Sequence, residues 1–512
     1  MDGKGLSTAV RSFVLVTISA ILAPWSIAFT SLAILLRPWA SILGLSQYPK
    51  PKCLNPVSRR NILVTGVGMA KGLTLARAFY LQGHHVIGAD FENGALPCSG
   101  RFSKSISRFR AMKSPSSTYE SRSYIHQMLQ IVKEEDIDLW VSCSGVASAL
   151  EDANAKELVE RETRCRCIQL GVQETSTLHE KDLFMREAQR LDLPVPKTHN
   201  LSSPDDALSI LSKSHSLHPE RKFILKTVGV DDANRGNMTL LPLDSKEATK
   251  RYLSRLSIRP DQSWILQEFI SGGEEYCTHA LIVRGEVKCF VACPSAELLM
   301  HYRALGPQSA LSRAMLAFTR EYVFRSPHSE HFTGHLSFDF MVRDSAVDER
   351  SVERSLYAIE CNPRAHTAVA LFAGPQAATT AAMVKAYLST LDESPESYAS
   401  VLKQNGLRED TIVFPEKGAL PRYWIGHDLF SLILQPLLDF FVGRITVRQL
   451  SRNFMQFVIH VLTWKEGTFE AWDPWPAVVL YHVYWPLTIL SAWWRGFRWS
   501  RVNVSTTKMF AC

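Results

Sequence analysis

Ser337-Phe338-Asp339-Phe340-Met341 and Ile359-Glu360-Cys361-Asn362-Pro363-Arg364 are the two stretches that decide how this 512-residue chain folds. Both read as strands, and strand side chains alternate between faces with period two. Asp339 therefore leaves one face while Phe338 and Phe340 leave the other. Glu360 and Asn362 likewise share a face, with Ile359 and Cys361 opposite. If the two strands pair, three oxygen donors converge on one spot. Magnesium takes such donors and fills its remaining positions with water and substrate phosphates; manganese is the alternative ion. Arg364 follows at once, a rigid cation suited to phosphate or carboxylate. The ordinary reading, acidic residues that merely face water, is the weaker one for two strands of this composition.

Upstream lie parts that suit a nucleotide. Lys226 ends the apolar run Phe223-Ile224-Leu225, where a lone lysine needs an anionic partner. Lys181 opens a helix-like segment. Leu266 to Ile270 leads into Ser271-Gly272-Gly273-Glu274-Glu275, a strand running into a hinge whose peptide groups can read a base edge. The polar stretch 227–239 between them suits a loop that closes over phosphates. A second glycine-bearing segment competes for the nucleotide role. Gly66, Gly68 and Gly72 stand between a strand (Asn61 to Thr65) and a helix (Met69 to Gln82), and Asp90 ends the next strand. That arrangement suggests a dinucleotide fold and, as the alternative function, an NAD(P)-dependent oxidoreductase. No Tyr-x-x-x-Lys pair follows it, and a structural or substrate-facing role fits the loop better.

In this order the parts resemble the ATP-grasp superfamily of ADP-forming ligases, over about residues 61–387. More narrowly, 357–366 and 267–279 look like the mycosporine-glycine synthases and related fungal natural-product ligases. The resemblance implies a mixed α/β and α+β fold: a Rossmann-like preceding domain, then a two-part nucleotide clamp. It implies that Lys181 and Lys226 hold the phosphates of ATP, and that Glu268 with the backbone at Phe269 and Ile270 brackets adenine. Glu275 would bind ribose, Asp339, Glu360 and Asn362 would hold magnesium, and Arg364 would steady the transferring phosphoryl group or its acceptor. His279 and His366 are either substrate contacts or ordinary structural histidines. An acceptor oxygen, carboxylate or enol, would be phosphorylated and then displaced by an amino acid or amine, in secondary-metabolite biosynthesis.

Composition frames this reading. The chain is 46% hydrophobic and 21% charged, with a net charge of only +7 spread along it, so a nucleic-acid partner is not expected. Ten cysteines without a C-x-x-C pair read as reduced thiols of a cytosolic protein. Four parts are expected: an anchor and linker at 1–58, the preceding domain at 59–172, the clamp at 173–391, and a linker with a Trp-rich region at 392–512. Ser12 to Leu36 is a run of 25 uncharged residues, long enough to span a bilayer, with Pro24 permitting a kink or a re-entrant hairpin. Arg37, Lys50, Lys52, Arg59 and Arg60 follow it, so the catalytic part should face the cytosol. Asn200, Asn237 and Asn503 begin N-x-[ST] sequons that should then stay bare. Eight of the twelve tryptophans lie between Trp424 and Trp499, and Pro476 to Trp494 carries no charge. This end reads equally as a membrane-associated segment and as a buried cap.

Overall fold

Ile62, Leu63 and Val64 are fully buried, as a strand covered on both faces must be. They form the centre of a parallel sheet built from β1 (Asn61–Thr65), β2 (His85–Phe91), β3 (Arg108–Met112), β4 (Leu139–Val141) and β5 (Arg166–Ile168). The strand order is β3-β2-β1-β4-β5. The structure, a computed structural model, describes residues 3–42, 48–92, 96–115, 117–145, 148–227, 239–256, 258, 264–271, 274–295, 300–343, 352, 355–374, 377–392 and 412–511. Of the expected phosphate-covering loop, 228–238 lies outside the described residues. So do Gly272 and Gly273 of the hinge, 393–411 of the linker, and Asn237.

Two antiparallel sheets follow. β6 (Thr198–Leu201), β7 (Phe223–Thr227) and β8 (Trp264–Glu268) pair in the order β6-β8-β7. β9 (Glu275–Val283), β10 (Glu286–Pro294), β11 (Gly334–Val342) and β12 (Leu356–Asn362) pair in the order β10-β9-β11-β12. The chain is thus a mixed α/β protein with several sheets and many helices. Phe338 and Phe340 of β11 are fully buried, and Phe318 of the helix Ala310–Arg325 packs edge-on against both rings at 5.2 and 5.1 Å. Phe184 of the helix Lys181–Arg190 meets Phe338 at 5.8 Å. Those rings fix one face of β11 in the core and turn Ser337 and Asp339 to the other. Val413, at the far end of the expected linker, donates to Lys288 O and accepts from Phe290, so this segment is held at the β10 edge.

The N-terminal apolar run is one continuous helix, Gly3–Ile42, that passes through Pro24, so the re-entrant hairpin is not formed. Its part Ala9–Trp39 is long and apolar enough to cross a membrane. At 1.5 Å per residue those 31 residues extend about 46 Å, more than a bilayer core. One stripe of the helix faces the C-terminal region. Ser12 accepts from Trp499 Nε1 at 3.2 Å, Ser19 donates to Tyr481 O at 2.9 Å, and Ser26 Oγ lies 2.9 Å from His482 Nε2. Successive serines seven residues apart stay on one helix face, where small side chains admit close packing.

The C-terminal region is itself fastened to the parallel sheet's domain by a buried ion pair. Arg77 Nε lies 2.8 Å from Asp473 Oδ2, and the arginine also donates to Thr468 O and Asp473 O. Ser103 Oγ and Lys104 N donate to the same carboxylate. Removing one partner of such a pair strands the other charge in a dry site. Asp473→Ala should therefore lower the unfolding free energy by about 3–5 kcal/mol, measured by denaturant titration in detergent, whereas Arg77→Met with Asp473→Leu should recover much of the loss. An unchanged midpoint in Asp473→Ala would mean that Arg77 finds another partner.

Candidate active site

β11 and β12 pair antiparallel with Asp339 opposite Glu360 and Ser337 opposite Asn362. The register slips by one between Asp339 and Phe340, which next faces Ala358, so Ile359 is the extra residue of a β-bulge. Bulges bend a strand and re-aim its side chains, and here the bend falls beside the three oxygen donors. Asn362 Nδ2 donates to Asp339 Oδ2 at 3.1 Å. Asp339 Oδ1 is shut from water and has no hydrogen-bond partner among the described residues. An orphaned carboxylate oxygen beside a second carboxylate and an amide oxygen fits a hard divalent cation, so the donor set suits magnesium.

Lys181 opens the helix Lys181–Arg190, placing both its ammonium and the positive end of the helix dipole at the edge of β12. Its Nζ lies 2.9 Å from Glu360 Oε2. Lys226, on β7, donates to Gln267 Oε1 of β8 at 2.8 Å, on the side of that small sheet away from Phe223, Leu225 and Leu266, which lie in its core. Burial, then the nearby Lys181, pushes Lys226 down to about 8. Burial, then Glu360, raises the Glu275 carboxyl; burial, then Glu360 and Glu275, raises Asp339 further. Two cations thus work against each other beside three carboxylates that do the same. A polyphosphate carrying a divalent ion relieves both repulsions at once.

The structure brings Lys181, Lys226, Glu275, Asp339, Glu360, Asn362 and Arg364 into one electrostatic neighbourhood. It does not bring the Glu268 carboxylate there. Glu268 pairs across β7–β8 with Phe223, so its side chain leaves by the opposite face from Gln267. That carboxylate lies 2.9 Å from Arg343 and 3.7 Å from Arg221. Phe269 N donates to Lys222 O at 2.7 Å and Ile270 is buried, which leaves the hinge peptides in place beyond the end of β8.

The first glycine loop is filled by the chain itself. Gly68 N donates to Asp90 Oδ2 at 2.6 Å, and Phe91 N donates to Asp90 Oδ1, so the acid expected at a ribose closes the loop. Gly66 has φ +70°, and a Cβ there would meet Cys143 O at 2.5 Å. Ala70 N, the first amide of the helix Ala70–Leu81, donates to Ser505 O at 3.0 Å. The position at which a dinucleotide's phosphates would sit is therefore taken, which weighs against the oxidoreductase reading.

Lys71 lies in the same segment and is not among the residues that the glycine motif singles out. Lys71 is buried, donates to Ser144 O and Ala365 O at 3.0 and 2.9 Å, and is pushed down to about 7 by burial, then by Arg364. It ties the glycine loop to the segment that follows the oxygen donors. Its place inside Gly66-Val67-Gly68-Met69-Ala70-Lys71-Gly72 was the available signal. His366 N donates to His279 Nδ1 at 3.3 Å, and burial pushes both imidazoles down to about 3, so each is neutral. His279 Nε2 is buried without a hydrogen-bond partner among the described residues.

No protein-family model and no curated protein sequence matches the chain. Among solved structures, it is similar to the L-amino acid ligase from Bacillus licheniformis at 13% identity and a TM-score of 0.39, over 60% of this chain and 67% of that one. It is similar to the ADP complex of N5-carboxyaminoimidazole synthetase from Staphylococcus aureus at 13% identity and a TM-score of 0.41, over 60% and 71%. A third is biotin carboxylase with β-γ-ATP from Campylobacter jejuni, at 13% identity and a TM-score of 0.45, over 68% and 74%. These are similarities of arrangement, and the functional reading rests on the residues described above.

Proposed function

We propose that the chain is an ATP-dependent, ADP-forming ligase of secondary-metabolite biosynthesis, of the ATP-grasp kind. The five-stranded parallel sheet would be its Rossmann-like preceding domain, and the two antiparallel sheets would be the halves of its nucleotide clamp. The observation that carries the reading is the meeting of Asp339, Glu360 and Asn362 with Lys181, Lys226 and Arg364. An acceptor oxygen, carboxylate or enol, attacks the γ-phosphorus; the bond to the β-phosphate oxygen breaks and ADP leaves. An amino acid or amine then attacks the activated carbon, and inorganic phosphate departs as the carbon–nitrogen bond forms. Lys181 and Lys226 would hold the phosphates, Arg364 would face the transferring group, and Glu275 would meet the ribose. Bound magnesium would neutralise phosphate charge between Asp339, Glu360 and Asn362. Catalysis of this kind is positioning and charge neutralisation, and it requires no protein nucleophile.

The long apolar helix would anchor the enzyme in a membrane with its catalytic part in the cytosol. On the resemblance of 357–366 and 267–279 to mycosporine-glycine synthases, the acceptor would be a small enolisable or carboxylic compound, which product analysis with a panel of amines and acceptors tests. In detergent, ATP with magnesium should raise the melting temperature and NADPH should not. ADP release should require acceptor and amine together. The reverse thermal result would favour the oxidoreductase.

Lys226 adds a pH signature. In the free protein its ammonium deprotonates as pH rises through about 8, whereas bound phosphates would hold the proton to higher pH. Nucleotide affinity is therefore full below pH 8 and weakens between there and the ordinary lysine value of 10.5. Lys226→Arg, which stays charged, should flatten that profile in equilibrium titrations. A wild-type affinity that is level across this range would remove Lys226 from the phosphates.

A further inference from the structure

His301, His427 and His460 gather around Asp428, outside the phosphate-handling residues. Asp428 is fully buried. It ends the short helix Ile425–Asp428, and a π-helical turn, Leu429–Leu434, follows directly. Such turns are rare and concentrate at functional sites. His301 Nε2 lies 2.7 Å from Asp428 Oδ1, and His460 Nδ1 lies 2.6 Å from Oδ2. The three donor atoms all fall within 4.8 Å of one another. Among the described residues no lysine or arginine is paired with this carboxylate, and a buried carboxylate needs a positive partner.

The helix Val447–Thr463 brings His460 to this carboxylate. It is amphipathic, and Phe454, Met455, Ile459, Val461 and Leu462 are exposed on it. Its only buried residue is His460. Leu450, Asn453, Phe457 and Val458 are half-buried beside it, so whatever the imidazole binds adds to an existing hold on this helix.

We propose that His301, Asp428 and His460 bind a divalent transition-metal ion of the zinc class. Two imidazoles and one carboxylate suit zinc or cobalt, and imidazole is a poor ligand for magnesium. Three protein ligands leave a fourth position for water. Zinc at ~2.0–2.2 Å from each donor requires donor separations of about 3.3–3.5 Å, so the two imidazole–carboxylate contacts of 2.7 and 2.6 Å would open by less than about 1 Å. Each neutral imidazole carries one proton. In the metal-free site that proton is on the nitrogen facing Asp428, because a carboxylate only accepts; on coordination it would move to the other nitrogen, His301 Nδ1 and His460 Nε2. Trp464 packs over the His460 ring at 4.3 Å and limits its rotation. The ion would fasten the amphipathic helix to the segment at His301. Tyr302, the next residue, pairs with Arg422 through both backbone groups and packs its ring 5.6 Å from His366.

The test uses full-length protein in detergent, equilibrated with zinc chloride and then dialysed. Elemental analysis should find one zinc per chain, falling to none in Asp428→Asn and in His460→Gln. Glu360→Gln should keep its zinc, which separates this site from the magnesium donors. Cobalt in place of zinc should give the intense visible bands of a tetrahedral site in the wild-type protein, a readout that needs no variant to fold. Folded wild type that retains no zinc, cobalt that gives only weak octahedral bands, or zinc lost in Glu360→Gln would each overturn the assignment.

Discussion

Glu360→Gln should abolish ADP formation and leave the fold intact. Glu360 stands opposite Asp339 across β11–β12, and its carboxylate meets Lys181 at 2.9 Å. Glutamine keeps the shape and one oxygen and removes one negative charge from the oxygen-donor set. A missing charge-stabilising group at a reacting centre costs on the order of 10²–10³ in kcat, and a metal ligand belongs at the upper end of that range. Stability should barely respond. The side chains of Lys181 and Glu360 are 24% and 31% exposed, and ion pairs this wet are worth about 0–1 kcal/mol. Glu360→Asp retains the charge on a shorter arm and should recover part of the rate. The measurements are ADP release by a coupled assay and the melting temperature of the same preparation. Wild-type turnover in Glu360→Gln would sink the metal assignment, and a collapsed melting temperature would show that Glu360 is structural.

The part of this site that period two can carry was legible in the sequence. Asp339 is set apart from Phe338 and Phe340, and Glu360 is grouped with Asn362, by alternation alone. The register that places Asp339 on Glu360, and the bulge at Ile359, depend on a partner strand whose alignment is set by packing. Glu268 shows where local reading stops. Its motif position suggested a base-binding acid, but the pairing with Phe223 turns its carboxylate away, toward Arg343 and Arg221. The glycine loop was readable as a turn before a helix. Asp90 fills it from the end of β2, and Ser505 does so from the hairpin Trp499–Asn503 with Lys508–Ala511, over 400 residues along the chain. His301, Asp428 and His460 have no diagnostic spacing, because three separate elements bring them together. Ser12, Ser19 and Ser26 carry a signal in the sequence itself: polar residues at a heptad interval in an apolar helix mark the face that meets protein.

Deleting residues 1–58 should not release a soluble enzyme, although an N-terminal anchor taken alone predicts that it would. The helix Gly3–Ile42 covers a cavity of about 830 Å³, to which Leu15, Ile18 and Leu22 contribute from one side and Phe430, Val478 and Trp485 from the other. Removing the helix opens that apolar surface and also strands His482 and Trp499, whose serine partners go with it. What remains still exposes Phe454, Met455, Ile459, Leu462, Trp493 and Trp494. At about 1.5–3 kcal/mol for each large apolar side chain moved out of water, six of them supply roughly 10 kcal/mol toward an interfacial position, enough to hold the protein without a span. The truncated chain should therefore stay in the membrane pellet through a high-salt wash and come off only in detergent. Adding Phe454→Ser, Met455→Ser and Leu462→Ser to the deletion should move it to the supernatant. In the proposed orientation Asn200 and Asn503 should stay unglycosylated, since the cationic excess after Leu36 would keep this side of the bilayer cytosolic. Monodisperse truncated protein in a detergent-free supernatant would show that the C-terminal helices pack against protein alone. A mass shift on deglycosylation of the full-length chain would reverse the orientation.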